Sequence, residues 1–393
     1  MRNLLFVIVA ILSMSAFLLA QNNNATVTQT GDNNQSTVTQ TGSTNKATVE
    51  QEDGDNVGNV TQTGNNNEAD VYQRTTWSTT GNLVNVEQSG NDNYAQAQQW
   101  NAENEAKITQ SGNGNWARSS QAARQNKSEI VQTGNLNHAA ALAGGGNTEH
   151  YITQIGNENI ATAKSEGGNN KVTISIEGNL NAIGTLPYYS GPYGVEQSGV
   201  GNIADVLVKG NENKSYNTQT GDGNDIVIYI GEYGTSDRNT VKFDQQGNDN
   251  YLEAKINRAG DNEFNGSQSG DLNFFRAGIK GSFNTINMTA TGNQNRGSWG
   301  MASDWPEFSD YNDLTITVNG HHNYTTGKID GDENTVTITQ SGNNNMVGSD
   351  WYTKDGVVIM GNLNQVDIQQ LSDGNTATVN QTGNSNISNI LQQ

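Results

Sequence analysis

The chain has 393 residues, 32% of them hydrophobic, with 40 acidic and 20 basic residues for a formal charge of -20, and it has no cysteine. An acidic balance of this size excludes a nucleic-acid or anionic-lipid binder driven by net charge, and the missing thiols exclude disulfide staples and cysteine chemistry. Few apolar residues and high net charge also describe disordered chains, but a fixed repeat overrides that reading.

Residues 1–20 read as a secretory signal peptide. Arg2 supplies the positive end, Leu4 to Leu12 the apolar run, and Ala20 a small residue before Gln21, with Leu18 large for its place in a cleavage site. The run is too short for a membrane span and no other candidate follows. Repeat sequence begins at Asn24-Ala25-Thr26-Val27-Thr28-Gln29.

The unit is clearest from Gln62 to Gln73, which reads Q-x-G-x-x-N-x-A-x3-Q and recurs at Gln40 to Gln51, Gln88 to Gln99 and Gln110 to Gln121. Gly64 supplies a backbone free to take positive φ and the asparagines after it favour a turn. Asn67, Ala69, Val71 and Gln73 then alternate with Glu68, Asp70 and Tyr72, so one set faces inward and the other outward. Corners such as Gly156, Gly167 and Gly178 are eleven residues apart, so one coil of strand, corner, strand, corner takes twenty-two. The predicted fold is an all-β solenoid of about sixteen two-stranded coils, on the order of 75–80 Å long, with two facing parallel sheets and a thin core flanked by amides. Interior sets include Asn45, Ala47, Val49 and Gln51, then Asn170, Val172, Ile174 and Ile176, then Asn334, Val336, Ile338 and Gln340.

Gln and Asn at a fixed register are expected to stack as ladders, each carboxamide donating to one neighbour and accepting from the other. The candidate ladder and corner residues are Gln40, Gly42, Asn45, Gln51, Gln62, Gly64, Asn67, Gln73, Gln88, Gly90, Asn93, Gln99, Gln110, Gly112, Asn115, Gln121, Gln132, Gly134, Asn137, Gln340, Gly342 and Asn345. Glycines 42, 64, 90, 112, 134, 156, 178, 199, 221, 247, 270, 292, 320, 342, 361 and 383, each with Asn three residues on, read as one regular edge. Loop insertions are expected on the opposite edge, near 74–80, 183–194, 231–238, 297–311 and 348–356, where all three prolines and four of the six tryptophans lie. Trp299, Trp305 and Trp351 are therefore candidate loop contacts, for sugar or for a neighbouring filament.

Other chemistry finds little support. Of the four histidines only His321 and His322 are adjacent, and neighbours on a strand or turn point apart, so no metal site is expected. Asp222-Gly223-Asn224-Asp225 and Asp330-Gly331-Asp332-Glu333 resemble calcium-roll corners, but those rolls repeat every nine residues with a fixed Asp. Outward Thr pairs such as Thr26 and Thr28 or Thr315 and Thr317 are interrupted by Asp70 and Tyr72, so no flat ice-binding array forms. No nucleophile lies beside a base in a known motif and no carboxylate pair marks a glycosidase cleft, so no enzyme and no cofactor are expected.

The repeat, with its Gln, Gly and Asn placement, resembles that of curlins, the secreted subunits of bacterial curli amyloid fibres. Four copies match throughout and nine further corners keep Q-x-G-x-x-N. The resemblance implies export through a dedicated outer-membrane pore, nucleation by a partner subunit, and end-to-end polymerisation into an extracellular biofilm and adhesion fibre of a Gram-negative-type bacterium. Matrix polysaccharide is a further candidate partner. Two departures stand out: repeat sequence follows the leader directly, without the family's export segment, and there are more repeats than in the family's major subunit. The alternative is a secreted or surface solenoid adhesin that does not polymerise and binds glycan through its aromatic loops.

Overall fold

Short polar corners and period-two alternation leave the chain one way to pair its backbone: each strand lies on the strand one coil earlier. The structure, a computed structural model, describes residues 22–76, 80–185, 192–232, 234–257, 260–301, 309–349 and 355–393. Among these residues every regular element is a strand and none is a helix. The first sheet starts with Asn24–Thr30, Lys46–Glu52 and Glu68–Arg74, and the second with Gln35–Ser43, Val57–Asn65 and Leu83–Asn91. All strand pairs are parallel and place like over like, with Ala47 on Ala69, Val49 on Val71 and Gln51 on Gln73.

Each sheet has 17 strands. In the first, Ala182–Ile183 and Val195–Ser198 are two pieces of one row, which leaves sixteen rows. In the second, Met346–Val347 and Val357–Met360 share a row, as do Thr376–Ala377 and Val379–Thr382, which leaves fifteen. The chain is thus a β-solenoid of about sixteen turns with a spacing near 22 residues, as the repeat predicts.

The core lies between the sheets. Early rows fill it with Ala47, Val49, Ala69 and Val71, later rows with Ile174, Ile228, Phe264, Phe275 and Trp299. The large rings fit because the next row supplies glycine: a Cβ on Gly327 would lie 2.4 Å from the Trp299 ring, and one on Gly297 2.3 Å from Phe275.

The corners form two edges, one leading from the first sheet to the second and one leading back. Gly42, Gly64, Gly90, Gly112, Gly134, Gly156 and Gly178 stack on the return edge. The row above Gly178 is Gly210, however, while Gly199 stacks on Gly167 at the other edge. The single regular edge expected from the sequence is therefore corrected: its glycines from 199 to 342 lie on the opposite edge, and Gly361 and Gly383 lie back on the return edge.

The cause is an insertion inside a strand row. Ile183 and Val195 hold successive inward positions of one row, opposite Ala161 and Ala163, and the step across it is 32 residues instead of 22. Ten added residues come close to one half-coil, so the count slips from one edge to the other. A second insertion, between Val347 and Val357, splits a row of the second sheet and slips the count back. The expectation of one loop-bearing edge is corrected too: steps lengthen at the first edge near 75–82, at the return edge near 231–238 and 301–311, and within both sheets. Both in-row insertions are mounted alike. Gly194 N donates to Thr162 Oγ1 (2.9 Å), which donates to Ile183 O (3.4 Å); Gly356 N donates to Thr326 Oγ1 (3.3 Å), which donates to Val347 O (3.3 Å).

Candidate functional site

Parallel rows bring identical side chains within one coil of each other, and a carboxamide is the side chain that can bond to its own copy on both sides. In the second sheet Gln40, Gln62, Gln88, Gln110, Gln132 and Gln154 form one ladder, each Nε2 donating to the next Oε1 at 2.8–2.9 Å. In the first sheet Gln29, Gln51, Gln73, Gln99 and Gln121 form another at 2.7–3.0 Å. Gln340 belongs to the first sheet as well, in a separate run with Gln370 and Gln392, so it does not continue the Gln132 column. The remaining Nε2 proton crosses the core: Gln62 donates to Lys46 O (2.9 Å) and Gln110 to Tyr94 O (3.0 Å). Each glutamine therefore ties two coils and two sheets.

The corner asparagines run with the opposite polarity. Asn67 N and Nδ2 both donate to Asn45 Oδ1 of the preceding row (3.1 Å), and Nδ2 also reaches Gly90 O (2.8 Å). Asn93, Asn115 and Asn137 continue this pattern on the return edge, while Asn345 bonds to Asn323 on the other edge. Gly64 has φ +111, and a Cβ there would lie 2.0 Å from Gly90 O, so coil stacking leaves no room for a side chain. Gly42, Gly90, Gly112 and Gly134 meet the same carbonyl one coil on, and Gly342 meets Ser372.

Three features escape the sequence reading. An exposed ladder runs along the corners from the residue after each glycine: Asn91 N and Nδ2 donate to Asn113 Oδ1 (3.0 Å), and Asn65, Asn135, Asn157 and Asn179 do likewise. Its signal is Asn or Asp at that place, with His321 as a substitute whose Nδ1 accepts from Asn293 N (3.0 Å). His150 is the second. It is fully buried, with Nε2 2.8 Å from Ser165 Oγ, where the glutamine column of the first sheet is interrupted by Ala143 and Ser165. Ser165 Oγ donates onward to Gln197 Oε1 (2.9 Å), so the imidazole and hydroxyl fill the gap in the ladder. Burial lowers the His150 pKa to about 4, which keeps the ring neutral. Asp225 is the third: on the outer face of the second sheet, burial and then the Asp205 and Glu253 carboxylates raise it to about 6.

Of the candidate loop contacts, Trp299 is a correction. It lies in the strand Arg296–Met301, 2% exposed, with Nε1 donating to Thr325 Oγ1 (3.1 Å) inside the core. Trp305 and Trp351 lie outside the described residues, as does the leader. Among the described residues no group of three or more His, Cys, Asp or Glu side chains is placed to hold a metal. Corner aspartates instead accept from backbone, Asp222 from Val200 N (2.8 Å) and Asp332 from Asp310 N (2.9 Å).

What this arrangement does is repeat itself: every row presents the next with the donors and acceptors it has just received. The family model of the curlin associated repeat matches residues 20–52 and 101–134. No curated protein matches the chain. The curlin associated repeat is thus present at two places in the chain, and the same Gln and Asn ladders run through the rows between and beyond them.

Proposed function

We propose that the chain is a secreted, non-enzymatic subunit of an extracellular curli-like fibre that grows by end-to-end stacking of solenoids. The polarity of the ladders carries this reading. Each Gln Nε2 donates toward the later row, and each corner Asn donates toward the earlier one. In the outermost described rows, Gln29 Oε1 and Asn23 N face one way, and Gln392 Nε2 and Asn386 Oδ1 face the other. These are complementary pairs. A second copy placed row on row lets Gln392 donate to Gln29 and Asn23 donate to Asn386, with Ile390 over Val27, which is 46% exposed. The matched repeat supports the same reading, and the resemblance to curlins is our ground for proposing with it a nucleator, an outer-membrane export pore and a place in biofilm matrix and adhesion.

The test is incubation of the purified chain lacking residues 1–20. Filaments that seed their own growth and diffract with a repeat of about 4.7–4.8 Å along the axis are expected. A species that stays monomeric by sedimentation for days at high concentration overturns the proposal. The adhesin alternative loses one of its three tryptophans, since Trp299 is in the core.

A further inference from the structure

The outer face of the second sheet holds a feature that neither the repeat nor the ladders require. In the rows Tyr251–Asn257, Phe274–Lys280 and Arg296–Met301 the alternation turns Lys255, Arg276, Lys280 and Arg296 outward. The one outward carboxylate in these rows is Glu253, already bonded to Lys255 Nζ (2.8 Å) and to the Tyr251 hydroxyl (2.8 Å). Arg276 Nε donates to Ser298 Oγ (3.0 Å), and among the described residues no carboxylate is paired with Lys280 or Arg296. Three adjacent rows thus carry local positive charge on a chain of net charge -20.

Lys255, Arg276 and Lys280, with Glu253, line a cleft of about 310 Å³ whose floor is backbone at Gly278 and Gly300, and Arg296 lines the depression next to it. Gly278 is not demanded by conformation. Its φ is not in the left-handed region, and a Cβ there would meet nothing nearer than Lys255 O at 3.9 Å. The contrast is with Gly297 and Gly327, which are small because Phe275 and Trp299 fill their space. A glycine inside a strand weakens it, and one with open space above marks a place where another molecule comes close to backbone. Beside the cleft, Tyr251 and Phe274 stack at 4.5 Å and form an apolar wall of a neighbouring depression that Arg296 also lines.

We infer that this face binds an anionic polysaccharide carrying carboxylate groups, with the glycan crossing the rows obliquely. Lys255, Arg276 and Arg296 lie on successive rows and each one column over, opposite Gly278, Glu253 and Phe274, so they form a diagonal line that advances about one coil, roughly 4.8 Å, along the axis per row. Arginine suits a carboxylate in geometry as well as charge. The bare floor admits the sugar ring and the stacked aromatics cover its apolar edge. A polyanion is repelled by the chain as a whole, so the attraction is confined to this patch and weakens with salt. The site is complete in one copy and does not depend on fibre assembly.

The experiment uses sodium alginate as the probe, with neutral dextran and duplex DNA as comparisons, on freshly purified chain before any filaments form. Saturable binding of alginate that falls at least tenfold on raising salt, with no binding of dextran, is expected. Replacing Arg276, Lys280 and Arg296 together with Gln should reduce alginate affinity at least tenfold. Gly278→Val keeps every charge and fills the cleft; it should lower affinity by a comparable factor, with strand content and melting checked to show that the fold is intact. Absence of alginate binding, equal binding of duplex DNA, or a Gly278→Val protein that is folded and binds as the parent does would each overturn the inference.

Discussion

Two stretches of the second sheet share one backbone register and differ in what fills the same interior column. From Gln40 to Gln154 the column is glutamine; from Ile176 through Val208, Ile230, Ile256, Ile279, Met301 and Ile329 to Ile359 it is aliphatic; at Gln381 the amide returns. In the amide stretch each side chain from Gln62 to Gln132 has a hydrogen-bonded neighbour above and below; in the aliphatic stretch each gains its stability from transfer out of water and from packing. Either filling works as a block. Boundaries are where an amide group goes unmet, as at Gln381 Oε1, and in the first sheet at Gln340 Oε1 under Val318. The column therefore rewards runs of one kind over mixtures.

The corner glycines are common to both stretches, and breaking one should have the largest effect. Gly112 has φ +119 and a Cβ there would lie 1.9 Å from Gly134 O, so Gly112→Ala should cost on the order of 3–5 kcal/mol in urea unfolding. A change near zero would mean that adjacent coils are not stacked at these corners. Next comes an isolated amide in the aliphatic block: Ile230→Gln, with Val208 and Ile256 on either side, should cost about 2–4 kcal/mol, since it loses apolar burial and finds no ladder partner.

The reverse exchange sharpens the point. Gln110→Ile leaves Gln132 Oε1 without its donor and removes one of the three acceptors of Gln88 Nε2 and should cost about 1–3 kcal/mol. Gln154→Ile only moves the block boundary by one row, so it should cost clearly less. Equal losses at 110 and 154 in the same unfolding experiment would remove the block argument.

The pH dependence probes the filled gap at His150. Its folded pKa of about 4 lies below the ordinary histidine value of 6.5, so the unfolded chain takes up a proton that the folded ring refuses. Stability should fall as pH drops from about 6.5 toward 4 and level off below that. Asp225, raised to about 6 from the ordinary aspartate value of 3.8, acts with the opposite sign: its contribution declines as pH rises from 3.8 to 6. The informative quantity is thus the difference between the parent and His150→Val, which isolates the histidine's slope. An unchanged slope in the variant would place the imidazole in water. The smallest effect belongs to the outward pairs: Lys46→Ala, which removes an exposed contact with Glu68, should change stability by about 0–0.5 kcal/mol.

Much of this was legible in the chain. Alternation from the corner asparagines places Ala47, Val49 and Gln51 inside, and they are buried. The same count from Asn295 gives Gly297, Trp299 and Met301, so the interior position of Trp299 was present in the pattern; reading 297–311 as one insertion hid it. His150 also lies on an inward register, between Ser128 and Val172, but its partner Ser165 belongs to the other sheet and only folding brings them together. The cations of this outer face come from three separate rows and share nothing in sequence until the rows stack.

By itself the sequence determined the eleven-residue half-coil, the strand and corner character of each segment, and which side chains turn inward, because sterics at glycine and period-two alternation are local. Which edge each corner occupies beyond Gly178 was decided by the tertiary structure. Both edges use the same turn, with positive φ at the glycine and again two residues later, as at Gly64 and Asn66 on one edge and Gly270 and Leu272 on the other. A ten-residue insertion close to half a coil therefore shifts the phase without leaving a local mark, and only the stacking of Gly178 on Gly210 records it.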